Sequence, residues 1–452
     1  MQLKNKTVMV YGAAKSGISA TRLLQKLGAF VILYDGNVSI TKFDFANQFD
    51  TEKDFTLITG VLSEEVIESI ELLVISPGVP CDHPDIIRIK EKNIPIWGEI
   101  ELAFRYTKGK VIGITGTNGK TTTTTLVGKL MKSYFPKVFV VGNIGDTYTD
   151  VALDTKEDTV TVIELSSFQL ETIQTFRPEV SAILNITPDH LDRHHTMEEY
   201  IAMKERITLN QTQEELCILN YEDETLRNMA DRIKAKVLFF SSKNELERGI
   251  YLEEDELVYS DFDVKLTVCN VNSLHVIGRH NHENVMVAVG IALRMGVPME
   301  CIRKTLLNFK GVEHRIEYVE TIHGVTYYND SKGTNPDASI KAIQAMKNPT
   351  VLIAGGYDKK VSFQPWIEAF EGKIKCLILI GQTKKQIAKA AKRQGVHPIF
   401  LTDTLEEAVK ISAEQANEGD NVLLSPACAS WGMFENFEQR GNLFKQYVRN
   451  LL

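Results

Sequence analysis

Short apolar runs alternate along this chain with stripes of apolar residues at helical spacing. The first run is Thr7–Tyr11, and the turn Gly12–Gly17 follows it. Apolar residues then recur at i, i+3, i+4 and i+7, at Ala20, Leu23, Leu24 and Leu27. That spacing places an apolar stripe on one face of a helix. The next run, Phe30–Leu33, ends at Asp35, so this opening predicts a βαβ unit of the kind that binds nucleotides.

The same alternation continues through the rest of the chain. Apolar runs that predict strands lie at residues 72–75, 111–112, 159–163, 180–184, 325–328, 351–353, 376–380, 398–401 and 421–424. Thr196 and Glu199 match a capping box, so a helix is predicted from about Met197. Its Lys204 lies at the edge of the apolar face, where a lysine usually extends into water. The last helix of the central part is predicted from about His280.

Composition narrows the class of protein. The chain has 452 residues, of which 43% are hydrophobic and 24% charged, as in ordinary soluble proteins with more than one domain. The net charge is −8 without a basic tail, which argues against a general nucleic-acid binder. The six cysteines show no C-x-x-C spacing, so free thiols are expected. No secretory signal and no run of roughly 20 apolar residues is visible, so we expect a cytoplasmic enzyme without membrane insertion.

A glycine-rich turn carries the clearest chemical signal. It follows the run Val111–Ile112 and consists of Gly116, Thr117, Asn118, Gly119, Lys120, Thr121 and Thr122. Glycines let backbone N–H groups converge on phosphate oxygens, and the following helix adds partial positive charge. Lys120 would reach the β- and γ-phosphates, and the Thr121 hydroxyl would bind Mg²⁺. Ile114 replaces the first glycine of the usual motif, and a tight turn with an exposed lysine is the alternative reading.

Strand alternation and this turn together predict the domain organisation. Strands that alternate with helices are typical of parallel sheets covered by helices. We therefore predict an α/β protein of three domains in series. They are a Rossmann-like N-terminal domain at residues 1–107, a central P-loop ATPase-like parallel-sheet domain at 108–310, and a Rossmann-like C-terminal domain at 311–452.

Polar residues follow several of the predicted strands. Glu164 closes one strand and would hold Mg²⁺ beside the phosphate loop, unless it is only a solvated strand end. The segment Asp189–His195 is dense in potential ligands for a metal or phosphate, and it is not zinc-like because no cysteine accompanies it. Asn329–Pro336, Ala354–Lys359 and Ser425–Ser430 come after strands of the last domain. Together they favour a site for a small anionic substrate, although each alone could be an ordinary turn.

Other functions remain open on these residues alone. The Gly12–Gly17 turn is compatible with a nicotinamide oxidoreductase, but the Cβ of Ala14 hinders close approach of a pyrophosphate. A P-loop kinase and a nucleotide-binding module without catalytic activity are further alternatives. The module would leave the carboxylate, histidine and lysine clusters unexplained.

Eight segments give the chain a resemblance to a known family. They are Gly116–Thr122, Gly142–Gly145, Glu164–Leu170, Asp189–Arg193, His280–Asn284, His314–Arg315, Asn329–Lys332 and Ser425–Ser430. Over nearly its whole length the chain resembles the Mur ligases, the ATP-dependent amide-bond formers of peptidoglycan precursor synthesis. Three of these segments are typical of those members that add D-glutamate: Glu164–Leu170, Asn329–Lys332 and Ser425–Ser430. The Asp-Asn-Pro-Arg motif of diaminopimelate- and lysine-adding members is absent.

The resemblance implies roles for individual residues. ATP would contact the loop Gly116–Thr122, with Asn284, Arg315 and Asp330 at adenine and ribose. One Mg²⁺ would bind Thr121 and Glu164. A second would bind His190 and Lys204, the lysine being carbamylated by CO₂ so that it offers an anionic oxygen ligand.

The resemblance also implies two further substrates and a monomer. UDP-N-acetylmuramoyl-L-alanine would contact Ser16, Gly17, Asp35, Asn143 and His190. D-Glutamate would contact Lys332, Thr334, Lys359, Ser430 and Phe437. Ala13-Ala14 replaces the usual glycine-containing turn, and Gly333 stands where alanine is more common. The rival within the family is a ligase that adds another amino acid or extends folate with glutamate.

Overall fold

The structure is a computed structural model that describes residues 2–45, 48–49, 55–262 and 264–452. These residues form three sheets with surrounding helices, distributed over two compact units. One unit comprises Met1–Cys269 and Glu283–Thr305, and the other comprises Asn270–His282 and Leu306–Leu452. The described residues include no helix long and apolar enough to cross a membrane.

The first sheet is fully parallel. Its strands are β1 (Thr7–Tyr11), β2 (Phe30–Asp35), β3 (Thr56–Thr59), β4 (Leu72–Ile75) and β5 (Ile96–Gly98). Its helices are α1 (Lys15–Lys26), α2 (Glu64–Ser69), α3 (Pro84–Glu91) and α4 (Glu99–Phe104). The strand order β3-β2-β1-β4-β5 confirms the predicted βαβ opening. Because α1 begins at Lys15, the second half of the predicted Gly12–Gly17 turn is already helical.

The second sheet has nine strands in the order β14-β13-β12-β11-β10-β9-β6-β8-β7. They are β6 (Lys110–Thr115), β7 (Lys137–Gly142), β8 (Thr159–Glu164), β9 (Val180–Ile183), β10 (Leu216–Asn220), β11 (Lys236–Ser241), β12 (Arg248–Glu253), β13 (Glu256–Asp261) and β14 (Val264–Asn270). β6 to β12 pair in parallel, and β13 runs antiparallel to β12.

The described residues of the same part of the chain also form α-helices. They are α5 (Lys120–Lys132), α6 (Tyr148–Val151), α7 (Ser167–Leu170), α8 (Leu191–His194), α9 (Met197–Glu205), α10 (Glu224–Ala230), α11 (Arg279–Arg294) and α12 (Met299–Leu307). The helix predicted from Met197 is α9, and the helix predicted from about His280 is α11. The latter is not the last helix before residue 310, because α12 follows it.

The third sheet has six strands in the order β15-β16-β20-β17-β18-β19. They are β15 (Glu317–Ile322), β16 (Val325–Asn329), β17 (Thr350–Gly355), β18 (Ile374–Ile380), β19 (Ile399–Leu401) and β20 (Asn421–Leu424). The helices are α13 (Pro336–Ala345), α14 (Gln364–Glu368), α15 (Lys384–Arg393), α16 (Leu405–Gln415) and α17 (Phe437–Arg449). Only β15 among these strands pairs antiparallel, at one edge.

These sheets place the candidate residues at strand ends. In the second sheet β6 lies between β8 and β9, so the loops after these three neighbours meet at one edge. In the third sheet β20 lies between β16 and β17, and the loops after them carry the polar segments of the last domain. These three sheets with their helices confirm the predicted α/β fold class. The boundaries at residues 107 and 310 stay predictions, since the first two sheets belong to one compact unit.

Candidate functional site

The phosphate loop connects β6 to α5, and Gly119 is the residue just before that helix. Its φ is +84°, and a Cβ atom at this position would lie 2.3 Å from Asn284 Oδ1. Both constraints require glycine. Asn284 is buried and accepts a hydrogen bond from the Thr123 hydroxyl, with 3.2 Å between the oxygens. The loop is therefore packed directly against a residue predicted to contact ATP.

Neighbouring residues restrain the rest of the loop. The amide nitrogens of Thr117 and Asn118 donate to the carbonyl and side-chain oxygens of Asn185, at 2.9 and 2.8 Å. The Thr117 hydroxyl lies 3.1 Å from that of Tyr200 on α9. Asn185 follows β9, the strand beside β6, so two adjacent strand ends hold the loop.

Two lysines converge on one carbonyl oxygen of this loop. Lys120 Nζ donates to the oxygens of Gly116 and Thr117, both at 2.9 Å. Lys204 Nζ donates to the same Gly116 oxygen at 2.8 Å. Lys204 is 2% exposed, and its Nζ lies 4.6 Å from the centre of the Tyr200 ring. The expectation that this lysine extends into water was wrong, because α9 packs it against the loop.

The electrostatic setting of Lys204 differs from that of a surface lysine. Burial, reinforced by the nearby Lys120 charge, lowers the pKa of Lys204 to about 7. A large fraction of this amine is therefore uncharged at neutral pH, and an uncharged amine is a nucleophile.

Glu164 ends β8 and is almost completely buried. Its Oε1 accepts a hydrogen bond from Asn143 Nδ2 at 2.9 Å, and its backbone oxygen accepts one from Asn143 N at 2.9 Å. Within the described ranges, Glu164 Oε2 is buried without a hydrogen-bond partner. A buried anionic oxygen without a partner is costly, and a cation would satisfy it. The carboxylate thus fits a magnesium ligand.

Protein ligands alone would not complete such a site. The part of the chain that the structure describes has no cluster of three or more His, Cys, Asp or Glu side chains that could hold a metal. Mg²⁺ commonly binds one or two carboxylates and takes its other ligands from water and substrate phosphates. The residues present therefore fit Mg²⁺ better than a metal that needs a full protein cage.

The histidine-rich segment Asp189–His195 divides into residues with different surroundings. His190 lies before α8 with φ +53° and is about half exposed, 4.9 Å from the Phe168 ring. His194 is buried, and its Nε2 lies 2.9 Å from Ser167 Oγ. Burial lowers the pKa of His194, so a neutral ring is favoured. His190 is the more accessible of these two rings.

The N-terminal turn and Asp35 lie together, as the βαβ pattern predicts. Asp35 Oδ2 accepts a hydrogen bond from the Ala13 amide at 2.8 Å. A Cβ atom at Gly17 would lie 1.8 Å from the Gly12 oxygen, so this position requires glycine. Lys15 Nζ donates to the Gly145 oxygen at 2.6 Å and joins the turn to the loop after β7. Ser16 is half-buried beside them, and its contact with a uridine stays a prediction.

The predicted D-glutamate residues lie at strand ends in the third sheet. Lys332 Nζ is 5.5 Å from the Phe437 ring, and Lys359 Nζ is 5.4 Å from the Trp431 ring. Ser430, next to Trp431, is buried. Thr334 N donates to the Lys332 oxygen at 2.8 Å. The structure thus pairs Lys332 with Phe437 and places Lys359 beside the segment that carries Ser430.

Asp330 and Arg315 differ strongly in exposure. Asp330 is buried, and it accepts hydrogen bonds from Ser425 Oγ at 2.7 Å and from Ile316 N at 3.3 Å. Burial raises the pKa of Asp330 to about 7. Arg315 is exposed. Asp330 therefore anchors the chain immediately after Arg315, and the ATP contacts of both residues stay predictions.

Sequence reasoning missed Arg440 in α17. Its side chain is fully buried and donates to Ser331 and Cys428, in the loops that carry Lys332 and Ser430. Charged residues in an amphipathic helix usually face water, so spacing along α17 gives no sign of burial. Only the packing of α17 against both loops identifies it.

A cavity of about 680 Å³ lies in the first unit, and Arg193, His194 and His195 of the histidine-rich segment are among its lining residues. Its walls come from the end of α3, the chain after α7, and helices α8 and α9, including Arg193, Met203 and Arg206. Neither the phosphate loop nor Glu164 lines it. The candidate site is therefore the edge of the sheet, and not this cavity.

Three family models match the chain. They are the MurD-like N-terminal domain of Mur ligases at residues 6–98, the Mur ligase middle domain at 114–292, and the glutamate ligase domain of Mur ligases at 314–428. Together they cover each of the three sheets.

Curated relatives match from end to end. A protein of Lachnoclostridium phytofermentans is 57% identical over 451 residues, covering 100% of this chain and 99% of the relative. A protein of Clostridioides difficile is 47% identical over 452 residues, covering both chains completely. Both are named UDP-N-acetylmuramoylalanine–D-glutamate ligase.

Solved structures show the same fold at low identity. MurF from Acinetobacter baumannii is 17% identical with a TM-score of 0.60, covering 93% of this chain and 91% of that one. UDP-N-acetylmuramate–alanine ligase MurC from Thermotoga maritima is 19% identical with a TM-score of 0.57, covering 99% and 100%. The fold, the matched models and the full-length identity agree, and the chain belongs to the Mur ligase family.

Proposed function

We propose that this chain is an ATP-dependent ligase that joins UDP-N-acetylmuramoyl-L-alanine to D-glutamate through an amide bond. The products would be the extended peptidoglycan precursor, ADP and phosphate. The observation that carries the proposal is the phosphate loop, with Lys120 and Lys204 on one carbonyl oxygen. The full-length relatives named for this reaction support the choice of substrates. A monomeric state and a cytoplasmic location stay predictions.

ATP would bind first at the phosphate loop. The backbone N–H groups of residues 116–122 and the start of α5 would surround the phosphates. Lys120 would leave the Gly116 oxygen and contact the β- and γ-phosphates. Asn284, Arg315 and Asp330 would contact adenine and ribose.

The reaction would proceed through an acyl phosphate. A carboxylate is a poor electrophile, so the L-alanine carboxylate would first attack the γ-phosphorus of ATP and release ADP. The D-glutamate amine would then attack the acyl carbon, and the tetrahedral intermediate would expel phosphate. Lys120 would offset the negative charge that gathers around the transferred phosphoryl group.

Two Mg²⁺ ions would bind in this site. Thr121 and Glu164 would hold one, and His190 and carbamylated Lys204 would hold the other, with Asn143 beside Glu164. When bound, the ions would supply positive charge to phosphate and acyl oxygens. Glu164 Oε2, which is buried without a hydrogen-bond partner among the described residues, supports the assignment of the first of these ions.

Lys204 would become a ligand only after carbamylation. Its uncharged amine would attack CO₂, form an N–C bond and lose a proton, giving an anionic carbamate. The burial of Lys204 and its contact with the phosphate loop support this assignment. Protein supplied with ¹³C-labelled bicarbonate should show a carbamate signal by ¹³C NMR that is absent from Lys204→Ala. Equal spectra from both proteins would exclude the carbamate.

The remaining contacts would select the two joined substrates. Ser16, Gly17 and Asp35 would bind the uridine end, and Asn143 and His190 would bind nearer the reacting carboxylate. The residues for D-glutamate would be Lys332, Thr334, Lys359, Ser430 and Phe437. The ammonium groups of Lys332 and Lys359 match the two carboxylates of that amino acid in charge.

Phosphate release with one substrate omitted at a time tests the function. ATP, UDP-N-acetylmuramoyl-L-alanine and D-glutamate together should release phosphate, and omission of D-glutamate should stop it. L-Lysine should not replace D-glutamate. Oxygen-18 in the L-alanine carboxylate should appear in the released phosphate. Product formation without that transfer would exclude an acyl phosphate, and a kinase would release ADP without phosphate.

A further inference from the structure

Arg440 is a fully buried cation whose hydrogen bonds go to two loops of the third sheet. Its Nε donates to Ser331 Oγ at 2.9 Å, and its Nη2 donates to the Ser331 carbonyl oxygen at 2.8 Å. Its Nη1 donates to the Cys428 carbonyl oxygen at 3.2 Å. Burying a guanidinium is costly, so this arrangement depends on all of these hydrogen bonds.

The two loops follow neighbouring strands. Ser331 lies after β16, and Cys428 lies after β20, which pairs in parallel with β16. Ser331 immediately precedes Lys332, and Cys428 lies two residues before Ser430. The Ser331 hydroxyl donates to the Phe437 oxygen at 2.8 Å, so the start of α17 joins the same network. Arg440 therefore bridges the segments that carry four of the proposed D-glutamate contacts, Lys332, Thr334, Ser430 and Phe437.

Backbone strain beside Arg440 supports a positioning role. Ala427 has φ +55°, a left-handed conformation that is sterically unfavourable for an alanine. Such a conformation persists only where the surroundings enforce it. Cys428 follows Ala427, and the hydrogen bond from Arg440 to the Cys428 carbonyl oxygen is one such restraint. A second is the hydrogen bond from Tyr357 N to the Ala429 carbonyl oxygen, at 2.9 Å.

We propose that Arg440 is a positioning residue for the amino-acid substrate. By holding Ser331 and Cys428 at fixed separation, it sets the distance between Lys332 and Ser430, so that both meet one D-glutamate molecule. This inference rests on the proposed function, because it takes D-glutamate as the ligand of these loops. Arginine is needed because its planar fork donates in several directions at once, whereas lysine offers one compact ammonium group.

Steady-state kinetics of Arg440→Met and Arg440→Lys test this role. The KM for D-glutamate should rise at least about tenfold in Arg440→Met, and less in Arg440→Lys, which keeps the charge. The KM values for ATP and for UDP-N-acetylmuramoyl-L-alanine should change less than about twofold. A residue that merely stabilises the fold would not change one KM selectively.

Two further variants separate positioning from folding. Ser331→Ala removes the Nε acceptor, together with the hydrogen bond to the Phe437 oxygen, and keeps the carbonyl acceptor, so its KM for D-glutamate should rise about threefold. Lys375→Met is the matched control, because Lys375 is a partly buried cation of the same sheet whose Nζ lies 2.6 Å from Asp420 Oδ2, before β20. It should lower the melting temperature and leave the KM for D-glutamate unchanged.

Several outcomes would overturn the proposal. One is a folded Arg440→Lys or Arg440→Met protein with the wild-type KM for D-glutamate, and another is an equal rise in all three KM values. If neither Arg440 variant folds, an unchanged KM in Ser331→Ala decides against it. If the wild-type protein releases phosphate only with another amino acid, the proposed function fails. The same KM comparison with that amino acid then still tests Arg440.

Discussion

Lys120 and Lys204 show how surroundings separate two residues of one type. Both donate to the Gly116 oxygen, but Lys120 starts α5 within the phosphate loop and Lys204 is buried in α9. Two ammonium groups on a single oxygen would repel each other, which contributes to the lowered pKa of Lys204, and an anion between them would relieve that repulsion. The arrangement therefore favours a site that receives the oxygens of an anion such as phosphate.

Substitution of Lys120 tests the phosphate loop. Lys120→Ala should reduce ADP release at least about 100-fold, because a positioned cation at a transferring phosphoryl group is lost. Lys132→Ala, at an exposed position near the other end of α5, is the matched control and should retain wild-type turnover. Near wild-type ADP release by Lys120→Ala would contradict the assigned role.

Glu99 gives the protein a pH-dependent stability. It is buried and accepts a hydrogen bond from Gln169 Nε2 at 2.8 Å, and burial raises its pKa from 4.5 to about 7. Between these two values the native protein keeps a proton that the unfolded chain releases. The contribution of Glu99 to stability is therefore present below pH 4.5 and is lost as the pH rises through about 7.

Glu99→Gln should remove this dependence while preserving an acceptor for Gln169. At about pH 7, the free energy of unfolding of Glu99→Gln should exceed that of wild type by roughly 1–3 kcal/mol. The decrease in this free energy between pH 4.5 and about 7 should be smaller in the variant. Urea denaturation at pH 4.5 and at about pH 7 measures the free energy of unfolding of both proteins. Glu65→Gln, an exposed change in α2, should follow the wild-type curve. If Glu99→Gln also followed it, Glu99 would not be the titrating group.

Some elements with a clear apolar period were predicted correctly, and others were missed. β1, β4 and β20 have the predicted limits, and α1 carries the predicted stripe. No strand was predicted between residues 216 and 270, where β10–β14 lie. β14 is largely exposed, although Val264, Leu266 and Val268 alternate with polar residues in the way that identifies a strand, so this pattern was available in the sequence and was missed. β3, β5, β7 and β15 were also missed.

Helix α4 holds a loop through one buried carboxylate. Glu101 accepts hydrogen bonds from the amides of Gln174 at 2.8 Å, Thr175 at 2.9 Å and Phe176 at 3.2 Å. Arg105 on the same helix donates to it at 2.8 Å. This contact joins the first sheet's last helix to the chain after α7.

Glu101→Gln should destabilise the first unit. The amide offers one acceptor oxygen in place of two and loses the charge, so we expect a loss of roughly 2–4 kcal/mol in the free energy of unfolding. Thermal or urea unfolding measures it. Glu91→Gln, at an exposed position at the end of α3, should change stability by less than about 0.5 kcal/mol. A similarly small change in both variants would show that Glu101 does not stabilise the chain after α7.

At the scale of the whole molecule, the predicted contacts are divided between two compact units. The phosphate loop, Glu164, Asp35 and Lys204 belong to the first unit, and the proposed D-glutamate contacts belong to the second. Arg315 and Asp330, predicted for ATP, are also in the second. Substitutions of the residues proposed to bind uridine should therefore change the KM for that substrate independently of the KM for the amino acid.

Asp35→Ala tests that separation. It removes the acceptor of the Ala13 amide and a proposed uridine contact. The KM for UDP-N-acetylmuramoyl-L-alanine should rise about tenfold, and the KM for D-glutamate should stay within about twofold of wild type. Equal rises in both values would show that the two ends are not independent.

Local patterns were enough to predict the fold class, the phosphate loop and the polar residues at strand ends. Strands, helices and glycine turns produce recognisable patterns within a few neighbouring residues, because each depends on backbone geometry and side-chain period. Those patterns predicted Lys120 at a helix start and Glu164 at a strand end, where the structure has them. The resemblance to Mur ligases added the expected role of Lys204.

Burial of individual polar side chains was decided by contacts between distant parts of the chain. Asn284 lies against Gly119, Lys204 is folded onto Gly116, and Arg440 joins loops after two different strands. The partners in these contacts are separated by up to 165 residues in sequence. A charged residue on a helix has the same local pattern whether it faces water or a loop, so only packing in three dimensions could distinguish the two.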